Sequence, residues 1–164
     1  MATHLSARLA LPGPPASAFA LVTDPAYVEQ VATETGGHDA EVTVTRTDDD
    51  GATTVSARTM PANLPAYAKA FVGDTIRLTE TRVYGPASAD GSRDGTFTVD
   101  FGSTPITIRG TLRLTAESGA SVMVIEIDIT ASVPFVAGKV ERVAAGWIER
   151  FVAKEEKVAA ARVP

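Results

Sequence analysis

Apolar and polar residues alternate in step over most of this chain. Leu5, Ala7, Leu9 and Leu11 alternate with His4, Ser6, Arg8 and Ala10, the pattern of a strand with one buried face. The turn Pro12–Pro15 ends it, and Pro14 and Pro15 open a short helix carrying Phe19 and Val22. Asp24 followed by Pro25 predicts a second helix start, with the acid as N-cap and proline in the first turn. That helix carries Tyr27, Val28 and Val31, and Gly36 and Gly37 end it. Ala40, Val42 and Val44 then alternate with Glu41, Thr43 and Thr45, and the acidic turn Asp48–Gly51 predicts a hairpin to Thr53–Thr59. After Pro65, Leu64, Tyr67 and Phe71 could share one face of a turn or two of helix. Four more strands follow: Thr75–Tyr84, Thr96–Phe101, Ile106–Thr115 and Val122–Ala131.

The period then changes. From Val133 to Arg162, Val136, Val140, Val143, Trp147, Phe151 and Val158 recur at spacings of three, four and seven, one apolar stripe of a long helix. Arg142, Glu149, Ala153 and Glu156 lie opposite, and Pro134 suits the first turn. The order is one strand, two short helices, six strands and a long helix. The links among the six strands are too short for crossover helices, so the sheet is antiparallel. The chain is therefore α+β, with the helical stripe buried on the concave side of the sheet. It has no repeat or linker, so residues 1–164 read as a single domain.

Composition narrows the function classes. The 45% hydrophobic and 21% charged fractions are those of a globular protein. Twenty acidic against fifteen basic residues give a net charge of −5, which argues against a nucleic-acid partner. Without cysteine there is no disulfide, thiolate metal site or cysteine nucleophile. His4 and His38 have no partner at ligand spacing, so no metal is expected. The acidic run Asp48–Asp50 reads as a solvated turn. No phosphate-binding or dinucleotide glycine motif and no nucleophile elbow is present, so neither a cofactor nor a fixed catalytic set is implied. No apolar run has the length of a membrane span, and the N-terminal residues lack the features of a secretory signal, so a cytoplasmic protein is expected.

Strict alternation through Thr75–Tyr84 places Glu80 and Arg82 on the same face as Ile76, Leu78 and Tyr84. If that face is concave, a carboxylate, a guanidinium and a phenol point at the long helix. There Arg82 could hold a ligand's acidic end bidentately and Glu80 could act as a base. Otherwise the two pair with each other at a cavity mouth, or a bulge turns both to solvent. Inward residues are mostly medium-sized, with small neighbours at Ala7, Ala40, Ala57 and Gly110. That leaves either a cavity beside the helix or a solid core. Tyr67 and Phe71 would cover such a cavity or plug one end of the core.

The element order resembles the helix-grip fold of the START-like, or SRPBCC, superfamily, which includes lipid-transfer domains and polyketide cyclases. More locally, VPFVAGKVE (Val133–Glu141), LPAYAKAFVGD (Leu64–Asp74), VYGP (Val83–Pro86) and ITIRGTLRL (Ile106–Leu114) resemble segments of an actinobacterial family of unknown function within it. That family tends to carry tryptophan where Tyr84 stands. The resemblance implies a curved seven-stranded antiparallel sheet around the long C-terminal helix, with a cavity between them. The expected contacts are Glu80, Arg82, Tyr84, Tyr67, Phe71, Phe97, Phe101, Trp147 and Phe151. The function this implies is binding or carrying a small hydrophobic or amphipathic ligand, lipid-like or polyketide-like. The alternative is a cyclase- or hydratase-like enzyme acting on an oxygenated apolar substrate.

Overall fold

Among the described residues, seven strands and four helices form in the computed structural model. They are β1 (Thr3–Leu11), α1 (Pro15–Val22), α2 (Pro25–Glu34), β2 (His38–Arg46), β3 (Ala52–Pro61), α3 (Ala66–Val72), β4 (Thr75–Tyr84), β5 (Arg93–Asp100), β6 (Ile106–Glu117), β7 (Ala120–Ala131) and α4 (Ala137–Ala161). Residues 2–62 and 65–162 are described, with only the backbone of residues 68 and 71 inside α3. Leu64 and the Phe71 side chain, expected to share a face with Tyr67, thus lie outside the described residues.

The strands make one antiparallel sheet in the order β1-β7-β6-β5-β4-β3-β2. Strands β2 to β7 pair in sequence order, and β1 returns beside the last strand. Asp24 caps α2 as expected, its carboxylate accepting from Ala26 N at 3.0 Å. Gly36, at φ +98°, takes the left-handed conformation that ends the segment. In β6, a Cβ on Gly110 would meet the backbone carbonyl of Glu126 in β7, so only glycine allows this close approach.

The sheet curves around α4. β1 and β7 touch the helix directly, while α2 packs on α4 and on the β2–β3 side. Inner positions of β6 and β7 are almost purely apolar: Ile106, Ile108, Leu112 and Leu114 face the core, as do Met123, Ile125, Ile127 and Ile129. At roughly 1.5–3 kcal/mol for each fully buried large side chain, these strands and α4 are where most of the apolar burial gathers.

The buried arc of α4 differs from the expected one. Val140, Phe151 and Val158 are buried, but so are Ile148, Val152 and Ala159, together with the acids Glu141 and Glu155. At 3.6 residues per turn, the inward face is turned by about 80° from the stripe of Val136, Val140, Val143, Trp147, Phe151 and Val158. Trp147 lies at its edge, partly buried against Phe101 and Phe151. Glu141 accepts from Thr3 Oγ1 at 2.8 Å and Ala131 N at 3.0 Å, which docks the start of α4 on the ends of β1 and β7. The helix begins at Ala137, later than Pro134 suggested, because Phe135 takes φ +67° and breaks the helical path.

Candidate functional site

The inner face of β3 is unlike that of its neighbours. Ala52, Thr54, Ser56, Arg58 and Met60 all point inward and are buried, and three of the five are uncharged polar or charged groups next to β4. The register sets Thr54 opposite Arg82 and Ser56 opposite Glu80. No bulge interrupts β4, so its alternation carries through: Leu78, Glu80, Arg82 and Tyr84 are buried together.

Four charges meet there, under α4. Arg82 lays a fork on Glu155, with Nη1 donating to Oε2 at 3.0 Å and Nη2 to Oε1 at 2.7 Å. Its Nε and Nη2 also donate to Glu80 Oε2, at 3.0 and 2.8 Å. The other Glu80 oxygen accepts from Arg58 Nη1 at 3.2 Å, and that nitrogen also donates to Ser56 Oγ at 3.0 Å. Tyr27 from α2 donates its hydroxyl to Glu155 Oε2 at 3.2 Å. Two guanidiniums and two carboxylates balance, which is how a charged group becomes tolerable in a core. Aromatic faces complete the enclosure: Arg58 lies 4.9 Å from the Phe151 ring centre and Arg82 5.5 Å from that of Phe97.

The electrostatics follow from this packing. Burial alone would raise the Glu80 carboxyl, but Arg82 and Arg58 outweigh it and hold it below the usual range. Burial likewise opposes the charge on Arg82, and Glu155 and Glu80 more than offset it, so its pKa is raised. Burial drives the Tyr84 phenol up to about 12, with the Arg82 charge opposing and Glu155 adding. Tyr27 is also raised, by burial first and then by Glu155. Two polar atoms in this cluster, Arg58 Nε and Tyr84 Oη, are buried without a hydrogen-bond partner among the described residues.

The space around the cluster is divided. One chamber of about 20 Å³ lies on the α2 side, lined by Tyr27, Val31, Arg58, Glu80, Arg82 and Glu155. Another of about 20 Å³ lies towards β5 and β7, lined by Arg58, Arg82, Phe97, Ile127, Trp147 and Phe151. A third of about 40 Å³ sits at the strand ends, between Met60, Ile76, Phe101, Val140 and Trp147. Each inner chamber has room for about one water. Among the described residues the core is therefore neither solid nor a ready-made ligand cavity, but holds small chambers, with Trp147 between the outermost and the next. Outside, a depression of about 330 Å³ borders Met60, Trp147, Arg150 and Lys154.

Of the residues singled out from sequence, Glu80, Arg82, Phe97, Phe101, Trp147 and Phe151 line these chambers. Tyr84 packs edge-on against Phe19 instead, ring centres 5.7 Å apart, and lines none of the three. Tyr67 is exposed near Lys139, away from them. Ala57 faces the other side of β3, because the inward parity there belongs to Ser56 and Arg58. Arg58 and Glu155 were not among the expected residues. Glu155 lies four residues after Phe151, but off the centre of the stripe read from the sequence, where it passes for a surface charge. Arg58 shares parity with Thr54 and Ser56, a polar inner strand face that has meaning only beside Glu80 and Arg82. His4 is exposed and held between Asp128 at 3.0 Å and Glu126 at 2.8 Å, whose hydrogen bonds raise its pKa. Among the described residues no cluster of three or more metal-ligating side chains occurs, and no helix is long and apolar enough to cross a membrane.

The chain matches, over residues 6–163, the model of a family described as protein of unknown function (DUF2505), and it belongs to that family. No curated protein matches it in sequence. Solved structures share its fold over nearly the whole length. TTHA0849 from Thermus thermophilus aligns at 17% identity and a TM-score of 0.63, covering 98% of this chain and 100% of that one. The Zhui aromatase/cyclase from a Streptomyces species aligns at 10% and 0.61, covering 98% and 93%. A START superfamily protein from Mycobacterium smegmatis aligns at 9% and 0.56, covering 98% and 99%. The architecture is the START-like helix grip, and at these identities the likeness is one of fold alone.

Proposed function

We propose that the protein binds and carries a small hydrophobic or amphipathic molecule in the gap between the sheet and α4. In this reading the molecule's apolar part lies among Phe97, Phe101, Trp147 and Phe151, and its oxygenated end meets the charged cluster at Arg58, Glu80 and Arg82. The observation that carries the reading is a built polar centre with unpaired donors inside an apolar core, reached through a series of chambers. A core serving stability alone gains little from four buried charges, because well-packed apolar residues do as well or better. The chambers are far below the roughly 300–1,000 Å³ of a formed small-molecule site, so uptake requires Trp147 and Phe151 to move. The shared fold of a START superfamily protein and an aromatase/cyclase is consistent with such a gap being used.

The enzymatic alternative, a cyclase- or hydratase-like reaction on an oxygenated apolar substrate, lacks a free base. Glu80 is held in its charged form and already accepts three hydrogen bonds from guanidiniums. Carriage without chemistry, by a cytoplasmic protein with no nucleic-acid partner, is the fuller reading. Native mass spectrometry of protein purified without detergent tests it. A bound mass that organic extraction removes is expected. A bare polypeptide that also takes up no medium-chain probe would overturn the proposal.

A further inference from the structure

The polar centre has its own selectivity, and it runs against an acidic ligand. Arg82 is the obvious anchor for a carboxylate, but four hydrogen bonds already commit it to Glu80 and Glu155. The buried donor that remains at the chambers is Arg58 Nε, since Tyr84, whose hydroxyl is also without a partner among the described residues, lines none of them. The Arg58 nitrogen is fully buried without a partner among the described residues, on a side chain only 2% exposed that lines both inner chambers. The four charges sum to zero, so an added anion would leave one uncompensated charge in an apolar surround. A neutral acceptor oxygen adds none. A carbonyl suits best, because unlike a hydroxyl it brings no proton that needs a second partner.

We propose that Arg58 Nε is the recognition donor of this site and that the cargo is a neutral carbonyl compound, a ketone or its like, rather than a fatty acid. This rests on the carrier reading above and specifies its cargo. Phe151 against the Arg58 guanidinium would flank the bound carbonyl, and Trp147 would lie along the alkyl chain.

The chain's single tryptophan is Trp147, so its fluorescence reports on occupancy. Octan-2-one and octanoate are titrated against the full chain at neutral pH. The ketone should bind about ten-fold tighter or better, the worth of one hydrogen bond to a charged donor. R58M should lose that advantage, and R58K, which keeps the charge but not the Nε donor, should lose most of it. The infrared carbonyl band of bound octan-2-one should shift to lower frequency in the wild type and return in R58M. Octanoate binding as tightly as the ketone overturns the proposal and leaves the carrier reading standing, as does an unshifted band from bound ketone, which would mean that water satisfies Arg58. Failure of both probes to bind the wild type overturns the carrier reading itself.

Discussion

Arg82 on β4 and Glu155 on α4 face each other 73 residues apart, joined by a buried two-pronged ion pair with N–O distances of 2.7 and 3.0 Å. This is the charged bond between the sheet and the helix that the sheet grips. Its directionality sets the rotation of α4, because Glu155 reaches Arg82 only when Ile148, Val152 and Ala159 face inward with it. An apolar stripe alone tolerates some rotation, whereas a fork does not. The inward arc, displaced from the sequence stripe, follows from this pair.

Glu155→Ala should therefore lower stability by about 3–5 kcal/mol, since it leaves an arginine buried with half its countercharge. Pairing the change with Arg82→Met should recover much of the loss, because Arg58 and Glu80 remain as a balanced pair. Denaturant midpoints of the two singles and the double, read as a mutant cycle, check this. A single variant within about 1 kcal/mol of wild type would show the fork to be incidental.

The titration of stability should slope at both ends. Glu80 has a pKa lowered from its ordinary 4.5, so its contribution is complete above that value and is lost as the pH falls through the lowered folded value. Glu80→Gln should flatten the acid limb. His4 has a pKa raised from its ordinary 6.5, so the opposite sign holds: its contribution is present below that value and fades as the pH rises through the raised folded one. The ring is exposed, which makes the second slope shallow, and His4→Ala should abolish it. Melting temperatures measured across the pH range should show an acid limb that disappears in Glu80→Gln. A limb of unchanged steepness would place the acid sensitivity elsewhere.

These groups also show what the sequence could and could not tell. Element order, antiparallel pairing and the inward parity of Glu80 and Arg82 were all legible, because period-two and period-3.6 patterns follow from local geometry. Arg58 and Glu155 were not identified, because each looks like an ordinary surface charge until a partner from another element is placed against it. Cavity size was illegible for the same reason: it depends on how Trp147 and Phe151 fill the gap. The side chain of α4 that seemed central, Trp147, lies at the margin, and the smaller Ile148 lies at the centre.

That inversion can be tested along α4. Ile148, 4% exposed, should lose about 2–5 kcal/mol on truncation to alanine. Glu149, on the outer face, should change stability by less than about 0.5 kcal/mol. Trp147→Ala should fall between them despite removing the larger group, since part of that ring already meets solvent. A ranking with Trp147 first would restore the stripe expected from sequence.

The last expectation concerns Phe135, in the turn that leads into α4. It holds φ +67° with its side chain fully in solvent, so it pays the steric penalty of the left-handed region and gains no packing. For a residue with a Cβ, that penalty is roughly 1–2 kcal/mol. Glycine would remove it, at the expense of about 0.5–1 kcal/mol of extra chain entropy in the unfolded state. Phe135→Gly should thus raise stability by roughly 0.5–1 kcal/mol, the difference of those terms. Phe135→Ala keeps the Cβ and should change little, while Phe135→Val, branched at Cβ, should be worse than wild type. The order Gly, then Phe and Ala together, then Val separates a backbone effect from loss of apolar surface, which would move Gly and Ala in the same direction. A midpoint for Phe135→Gly below that of Phe135→Ala would show that the aromatic ring, not the backbone, decides this position.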